Sequence, residues 1–327
     1  MTFIKKWCVY KKEKGELFFM KRIYSILLIM FLVFSFCTQV YAMDNLYLCD
    51  EEMLSINLET GERIISNISN RTPLNVIWNE RTNSFVTESN GVFFNNSFEN
   101  SNKTRSFTSD YRNTSTSSFP KNVCGFICND NCDELTGEII EPLSYGSGII
   151  ISHNAVLTSA HVVWNMNDDR PYHNITFEPG KTIGTSTNEF SPISINLPTL
   201  FTHYHNDEYD FALLIFDDYS FSNWAGIAYC SDYTTHNNEE VSIIGYPSND
   251  HPYQHTYTGE ITDSNQYYYY YDMETSNGVS GAPILEQNTN YVIGIHKGSN
   301  PSTFYDGDKR CIRISQNIFT IIVNWAS

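Results

Sequence analysis

The chain has 327 residues, 41% of them hydrophobic and 15% aromatic, so it is long and apolar enough to bury a substantial core. Its formal net charge at pH 7 is −17. Because acidic residues outnumber basic ones, we expect no basic surface that could neutralise phosphates, and therefore no nucleic-acid partner.

The N-terminal region has the three sections of a secretory signal. Lys21 and Arg22 precede an apolar run at 26–36, and the small residue Ala42 ends the pattern. We predict a signal peptide at 20–42 that is cleaved after Ala42, and a secreted, extracellular protein. The apolar run is short for a helix that spans a membrane, so no membrane attachment is expected after cleavage.

Residues 1–19 are interpreted as an upstream extension, with translation starting at Met20. Together, residues 1–42 carry seven Lys or Arg and two Glu, so their removal would change the formal charge from −17 to −22. Residues 43–118 then form a polar N-terminal extension rich in Asn, Ser, Thr and Glu. Its most polar part, 95–118, is typical of an exposed linker, where proteolytic cleavage is easiest.

Cleavage after Ala42 would leave six cysteines, and an exported protein can oxidise them. Many pairings fit the sequence equally well, so disulfides are predicted without assigned partners. A zinc site is the alternative for Cys124, Cys128 and Cys132, but their Cys-x3-Cys spacing does not match the Cys-x2-Cys spacing that is usual in zinc sites. We therefore expect no metal and no cofactor. The six cysteines are Cys49, Cys124, Cys128, Cys132, Cys230 and Cys311.

Short apolar and β-branched stretches recur through the remaining residues and are separated by Gly, Asn, Asp and Pro. This spacing is typical of an all-β domain. The run Tyr267–Tyr271 is interpreted as one further strand with a structural role. The predicted strands are 148–152, 155–158, 211–216, 241–245 and 291–295.

Three segments carry residues suited to acyl transfer. His161 follows the strand 155–158, Asp210 begins the apolar run 211–216, and Ser280 lies in an Asn-Gly-Val-Ser-Gly turn. A serine hydroxyl needs an imidazole to take its proton, and the imidazole needs a carboxylate to orient it. Each motif alone is common, but the three together predict His161 as general base, Asp210 as its orienter and Ser280 as nucleophile.

The turn around Ser280 also suits stabilisation of an oxyanion. Gly278 permits a backbone conformation that turns its N–H group inward beside the N–H of Ser280. We predict that these two groups form the oxyanion hole. A separate pair, His203 and His205, could share one face of a strand and bind a metal, but a surface loop leading to Asp210 is the preferred interpretation.

These residues resemble the chymotrypsin-like serine peptidases, and among them the bacterial glutamyl endopeptidases. The resemblance runs from about Tyr145 to the C-terminus. It is carried, beyond the three catalytic candidates, by Gly146-Ser147-Gly148, Ile244-Gly245-Tyr246-Pro247, Val292-Ile293-Gly294-Ile295-His296, Ile312-Arg313-Ile314-Ser315 and the segment 318–325.

The resemblance implies two six-stranded antiparallel β-barrels with a C-terminal helix and an active site between the barrels. It also implies a pro-region or N-terminal extension at 43–118 whose removal activates a peptidase domain at 119–327. The expected activity is that of a serine-type endopeptidase, acting as a monomer on protein or peptide substrates. A non-catalytic secreted binding protein on the same scaffold is the alternative from another class.

In that family, a histidine after the nucleophile and a threonine five residues before it bind a substrate glutamate; here these positions hold His296 and Thr275. Both can donate hydrogen bonds to a carboxylate, and Lys297 adds positive potential. The alternative is Glu274, which occupies the position that selects Lys or Arg in trypsin-like enzymes. Asn277 departs from the family by replacing a glycine in the loop beside the predicted oxyanion hole.

Overall fold

The computed structural model describes residues 52–66, 76–79, 84–87, 109–132, 139–182, 188–218, 220–299 and 309–326. The predicted signal peptide and the first part of the polar stretch, 95–108, lie outside these residues. Within the described ranges, no helix is both long enough and apolar enough to cross a membrane.

Strands dominate the described residues, as the sequence predicts. The strands are β1 (Met53–Asn57), β2 (Arg63–Ser66), β3 (Val76–Asn79), β4 (Ser84–Thr87), β5 (Ser109–Arg112), β6 (Cys124–Cys132), β7 (Ile139–Ile150), β8 (Ala155–Thr158), β9 (Trp164–Asn165), β10 (Arg170–Pro171), β11 (His173–Pro179), β12 (Ser194–Pro198), β13 (Ala212–Ile215), β14 (Ala228–Tyr229), β15 (Glu240–Gly245), β16 (His255–Ser264), β17 (Tyr268–Tyr271), β18 (Pro283–Glu286), β19 (Val292–Ser299) and β20 (Lys309–Arg313). The α-helices are α1 (Ala160–Val163), α2 (Thr199–Thr202) and α3 (Gln316–Trp325), and single 3₁₀ turns occur at Asp207–Tyr209, Tyr233–His236 and Ser248–Asp250.

The first sheet is antiparallel and has the strand order β11-β6-β7-β8-β13-β12-β1-β2. Its centre pairs two nearly continuous apolar strands, with Leu213 opposite Leu157 and Leu214 opposite Val156. All four of these side chains are buried. A strand covered on both faces keeps apolar residues at every position, which is why periodicity alone identified β8 and β13.

The second sheet has the order β15-β18-β19-β20-β17-β16, and an additional pairing between β15 and β16 closes it into a six-stranded barrel. Closure leaves no unpaired edge within the ring. The interior is filled by buried side chains from facing strands, among them Ile243, Tyr257, Ile284 and Ile293. The chain ends in α3, which buries Phe319 and Trp325. The predicted all-β fold with a C-terminal helix is confirmed.

The polar extension contributes strands to both sheets. The β1–β2 hairpin adds to β12 of the first sheet, and β5 adds to β16 of the second. A separate three-stranded sheet joins β3 and β4 to β14. The division of the chain into an extension at 43–118 and a domain at 119–327 stays a prediction.

The predicted disulfide framework is not formed by the four cysteines whose side chains the structure describes. Cys124, Cys128, Cys230 and Cys311 are present as thiols. Cys124 and Cys128 lie four residues apart on β6, which separates their Cα atoms by about 13 Å, too far for a disulfide. Burial raises the pKa of Cys230 to about 11, so its thiol is protonated at neutral pH. Cys49 and the Cys132 side chain lie outside the described part.

Candidate active site

The His161 side chain is held by a buried carboxylate. Its backbone N–H donates to Asp210 Oδ1 at 2.9 Å, and its Nδ1 lies 2.8 Å from Asp210 Oδ2. A carboxylate accepts hydrogen bonds, so Nδ1 carries the proton and Nε2 presents a lone pair. The imidazole is 36% exposed, whereas the carboxylate is 1% exposed. The sequence pair His161 and Asp210 is therefore brought together, with the imidazole partly exposed to solvent.

Asp210 is ionised although it is fully buried. Burial by itself opposes ionisation, but the charge and hydrogen bonds of His161 and Lys297 outweigh it and hold the pKa well below the usual range. The 3₁₀ turn just before Asp210 begins at Asp207, and the Asn206 side chain caps it by accepting from Glu208 N. This capped turn fixes the backbone from which the carboxylate projects.

Lys297 makes a contact that sequence reasoning missed. Its Nζ lies 2.5 Å from Asp210 Oδ2 and 3.1 Å from Asp207 Oδ1. Arg310 reaches the other oxygen of Asp207 at 3.2 Å. An ammonium group thus shares one carboxylate oxygen with the His161 imidazole. The sequence predicted only that Lys297 adds positive potential beside His296.

Ser280 is partly exposed and lies on a loop that is bonded to both sheets. Ser147 N donates to the Ser280 carbonyl at 2.8 Å, and the next residue, Gly281, donates to the His296 carbonyl at 2.9 Å. The same His296 carbonyl accepts from Ser159 Oγ at 3.1 Å. Since Ser159 lies two residues before His161, these bonds bring the Ser280 and His161 segments together.

Two glycines let this loop approach its neighbours. Gly281 has a φ of +83°, and a Cβ atom there would lie 2.2 Å from Thr158 Oγ1. Gly278 has a φ of +91°, and a Cβ there would lie 2.5 Å from the Tyr246 carbonyl. A side chain at either position would strain the backbone and collide with these neighbours. The Gly278 carbonyl accepts from Ser147 Oγ at 2.9 Å, which turns its peptide plane.

Ser147 belongs to the Gly146-Ser147-Gly148 motif, and its hydrogen bonds position the loop that carries Ser280. Its hydroxyl donates to Gly278, accepts from Tyr246 N at 2.9 Å, and its backbone N–H holds Ser280. Among the hydrogen bonds of the described residues, none uses the N–H group of Gly278 or Ser280.

His296 and Thr275 are brought together as the sequence predicts. Thr275 Oγ1 lies 2.9 Å from His296 Nε2, and the Tyr271 hydroxyl lies 2.6 Å from Nδ1. His296 is 1% exposed, and burial, followed by the positive charges of Lys309 and His161, lowers its pKa to about 3. The imidazole is therefore neutral at ordinary pH. Tyr271, interpreted from sequence as structural only, is a direct partner of this histidine.

The direction of donation in this chain matters for a ligand. Burial raises the pKa of Tyr271 far above its usual value, so its hydroxyl keeps its proton. When Tyr271 donates to Nδ1, the neutral His296 must donate from Nε2 to Thr275 Oγ1. The Thr275 hydroxyl proton is then free to donate to an acceptor in the adjoining cavity.

That cavity has a volume of about 480 Å³. Two of its three carboxylates are already paired, because His255 bonds to Asp110 and Asp250 at 2.7 Å each. Arg112 adds a second partner for Asp250 at 2.6 Å. Glu274 is exposed at the same cavity. The lining residues are Asp110, Pro247, Asn249, Asp250, His255, Tyr257, Glu274, Thr275 and Ser276.

Metal-ligating side chains gather elsewhere in the described residues. His236, Glu239 and Glu286 have ligand atoms within 4.8 Å of one another, and His236 Nδ1 already bonds Glu239 Oε2 at 2.8 Å. None of the three takes part in the contacts around His161. His203 and His205 are exposed on the loop after α2, in agreement with their interpretation as surface residues.

Comparison with known proteins decides the family. Residues 146–295 match the trypsin-like peptidase domain, and they include His161, Asp210 and Ser280. The chain therefore contains a trypsin-like peptidase domain. It is accordingly a serine-type endopeptidase, that is, a hydrolase of proteins or peptides. No curated protein sequence matches the peptidase.

Solved structures similar to the peptidase share its fold. A Glu endopeptidase in complex with MPD is 19% identical with a TM-score of 0.54, covering 65% of this chain and 94% of its own. Protease Anisep from Arthrobacter nicotinovorans is 14% identical with a TM-score of 0.51, covering 67% and 99%. The thermostable serine protease AL20 from an extremophilic microorganism is 16% identical with a TM-score of 0.51, covering 63% and 97%. The predicted chymotrypsin-like architecture is confirmed.

Proposed function

We propose that the peptidase is secreted and cuts peptide bonds after glutamate, using His161, Asp210 and Ser280 as a catalytic triad. The observation that carries the triad is the pairing of the exposed His161 imidazole with the buried, ionised Asp210. We also propose that the precursor loses its signal peptide after Ala42 and is activated by cleavage within the polar stretch 95–108.

The chemistry follows from this geometry. Ser280 Oγ attacks the scissile carbonyl carbon while His161 Nε2 takes the hydroxyl proton. The N–H groups of Gly278 and Ser280 donate to the oxyanion that forms in this step. His161 then gives its proton to the leaving amine. Water, deprotonated by the same nitrogen, attacks the acyl-enzyme ester, and Ser280 recovers its proton as the acid product leaves.

Glutamate preference is supported by the hydrogen-bonded chain Tyr271, His296 and Thr275. All three side chains are at least nine-tenths buried, so their donors are preorganised. The Thr275 hydroxyl is the group that donates to the substrate carboxylate, and a hydrogen bond to a charged acceptor is stronger than one to a neutral acceptor. Discrimination arises because an apolar side chain would leave these buried groups without a ligand partner.

Basic-residue specificity through Glu274 is the second candidate, and the cavity supports it with one observation. Three carboxylates line the cavity. Asp110 and Asp250 are hydrogen-bonded to His255, whereas Glu274 is not. An unpaired carboxylate would attract a Lys or Arg side chain. The two candidates make opposite predictions for the same substrates.

The deciding experiment compares peptides that differ only in the residue before the cut: Glu, Gln, Asp, Lys or Arg. We expect the highest kcat/KM for Glu, and Thr275→Val to lower the Glu/Gln ratio roughly ten- to a hundred-fold. Glu274→Gln should leave that ratio unchanged. Preferred cleavage after Lys or Arg that disappears in Glu274→Gln would contradict the proposal and favour the second candidate.

Lys297 is expected to set the acidic limb of the activity profile. The groups that face the His161–Asp210 pair are Lys297, Asp207, Arg310 and the neutral His296. Removing the ammonium leaves the whole Asp210 charge to stabilise the protonated, inactive imidazole. In Lys297→Met the acidic limb of kcat/KM should therefore move to higher pH by roughly one unit.

The pH profile of Lys297→Arg provides the rescue control, because it restores a cation beside Asp210. Lys181→Met provides the matched control, since Lys181 pairs with Glu178 at the end of β11. A Lys297→Met profile with reduced height but an unmoved acidic limb would contradict the electrostatic role and leave only a packing effect.

A further inference from the structure

The β1–β2 hairpin is joined to the first sheet as a regular strand. Five consecutive residues of β1 pair with β12, from Met53 opposite Pro198 to Asn57 opposite Ser194. Met53, Leu54 and Ile56 are at most 3% exposed, and Leu54 and Ile56, two residues apart, share one face of the strand. Main-chain pairing of this kind gives affinity, and the buried alternate side chains fix the register.

Hydrogen bonds extend this contact beyond both ends of β12. The backbone N–H and the hydroxyl of Thr199 both donate to the Glu52 carbonyl, at 3.1 and 3.2 Å. At the other end, Leu58 N donates to the Ile193 carbonyl at 2.9 Å. Residues 52–58 therefore bind the first sheet along their whole length.

A second attachment lies on the closed barrel. Val86 is fully buried and belongs to the hydrophobic core of that barrel, together with Ala228 and Val241. Thr87 N donates to the Ile227 carbonyl at 2.9 Å, and Ile227 N donates to Thr87 Oγ1 at 2.9 Å. The extension thus supplies core residues to both sheets.

The pairing of β1 with β12 supports the segment that carries Asp210. Through α2 and the turn at 207–209, β12 leads to Asp210, and its other edge pairs with β13, which begins two residues after Asp210. The Glu52 carbonyl accepts from Thr199, the first residue of α2. Loss of the hairpin would expose the edge of β12 and remove the hydrogen bond that holds the start of α2.

We propose that the extension, through residues 52–66 and 84–87, remains bound to the first sheet and to the closed barrel after the polar stretch 95–108 is cut, so that the active enzyme is a non-covalent complex of two chains. The extension is then a retained structural partner and is not a released inhibitor. This inference rests on the cleavage in the proposed function, but it is independent of the preference for glutamate.

The test uses the full chain with Ser280→Ala, which prevents self-cleavage, and with residues 97–103 replaced by the recognition sequence of a site-specific protease. After complete cutting, gel filtration and native mass spectrometry report whether the fragments travel together. We expect one complex that separates only in denaturant. An N-terminal fragment that elutes alone, while the remainder stays folded by circular dichroism, would overturn the proposal.

A matched pair of substitutions tests whether β1 makes the contact. Ile56 is 2% exposed and Ile65, in the same hairpin, is 48% exposed. After cutting, Ile56→Asp should weaken retention of the fragment at least ten-fold at a fixed dilution, whereas Ile65→Asp should retain it like the parent. Equal loss in both variants, or loss in neither, would contradict the assigned register. Because the readout is retention by an inactive protein, failure here is distinguishable from failure of the proposed specificity.

Discussion

Replacing Ser280 with alanine is expected to lower kcat for peptide hydrolysis about a million-fold, because removal of the nucleophile from a serine triad leaves only binding and oxyanion stabilisation. The loop itself should keep its conformation, since its hydrogen bonds use backbone groups of Ser280 and Gly281 and the side chain of Ser147. The fold is therefore expected to survive the substitution, which makes the loss attributable to the hydroxyl.

The measurement is the rate of cleavage of a peptide with glutamate before the cut, alongside labelling by a fluorophosphonate probe. Wild type should be labelled and Ser280→Ala should not. Ser231→Ala removes a hydroxyl from an exposed position and should behave like wild type. Serine-independent cleavage, or labelling that persists in Ser280→Ala, would contradict the assignment and would favour a different nucleophile.

Replacing His296 with glutamine is expected to lower kcat/KM for cleavage after Glu roughly a hundred-fold, with a much smaller effect on cleavage after Gln. Glutamine cannot reproduce both ring contacts, to the Tyr271 hydroxyl and to Thr275 Oγ1. The threonine hydroxyl would then lose the partner that orients its proton. His236→Gln, at a histidine 3% exposed in a different part of the protein, is the matched control.

The pH dependence separates a neutral from a charged histidine. The pKa of His296 is lowered from 6.5 to about 3, so its protonation state is constant while the substrate glutamate is ionised. The Glu/Gln ratio of kcat/KM in wild type should therefore stay flat between about pH 5 and 8. A ratio that rises as the pH falls through 6.5 would mean that protonated His296 binds the carboxylate, and would contradict the neutral chain.

Several features were accessible from sequence because short-range patterns encode them. The strands β8, β13 and β15 were predicted from apolar runs bounded by turn residues, and each is present. His161 and Ser280 stood out because their flanking residues match a catalytic motif. The glycines at 278 and 281 were visible in the same motif, and both adopt the positive φ angles that favour glycine.

Other features depend on residues that are distant in sequence. Lys297 meets Asp210 across 87 positions, and Tyr271 meets His296 across 25. No local pattern marks either contact, since Lys297 follows a strand residue and Tyr271 ends a run of tyrosines. The disulfide prediction rested on cysteine count and compartment, and no pair forms among the four cysteines whose side chains the structure describes.

The sequence by itself determined the class of fold and predicted the members of the triad, because strand periodicity and the catalytic motifs are properties of neighbouring residues. Only the tertiary structure decided which charges surround Asp210, that His296 is buried and neutral, and that the polar extension supplies strands to both sheets. The physical reason is that burial and ionisation depend on everything that packs around a group, whereas periodicity depends on its neighbours along the chain.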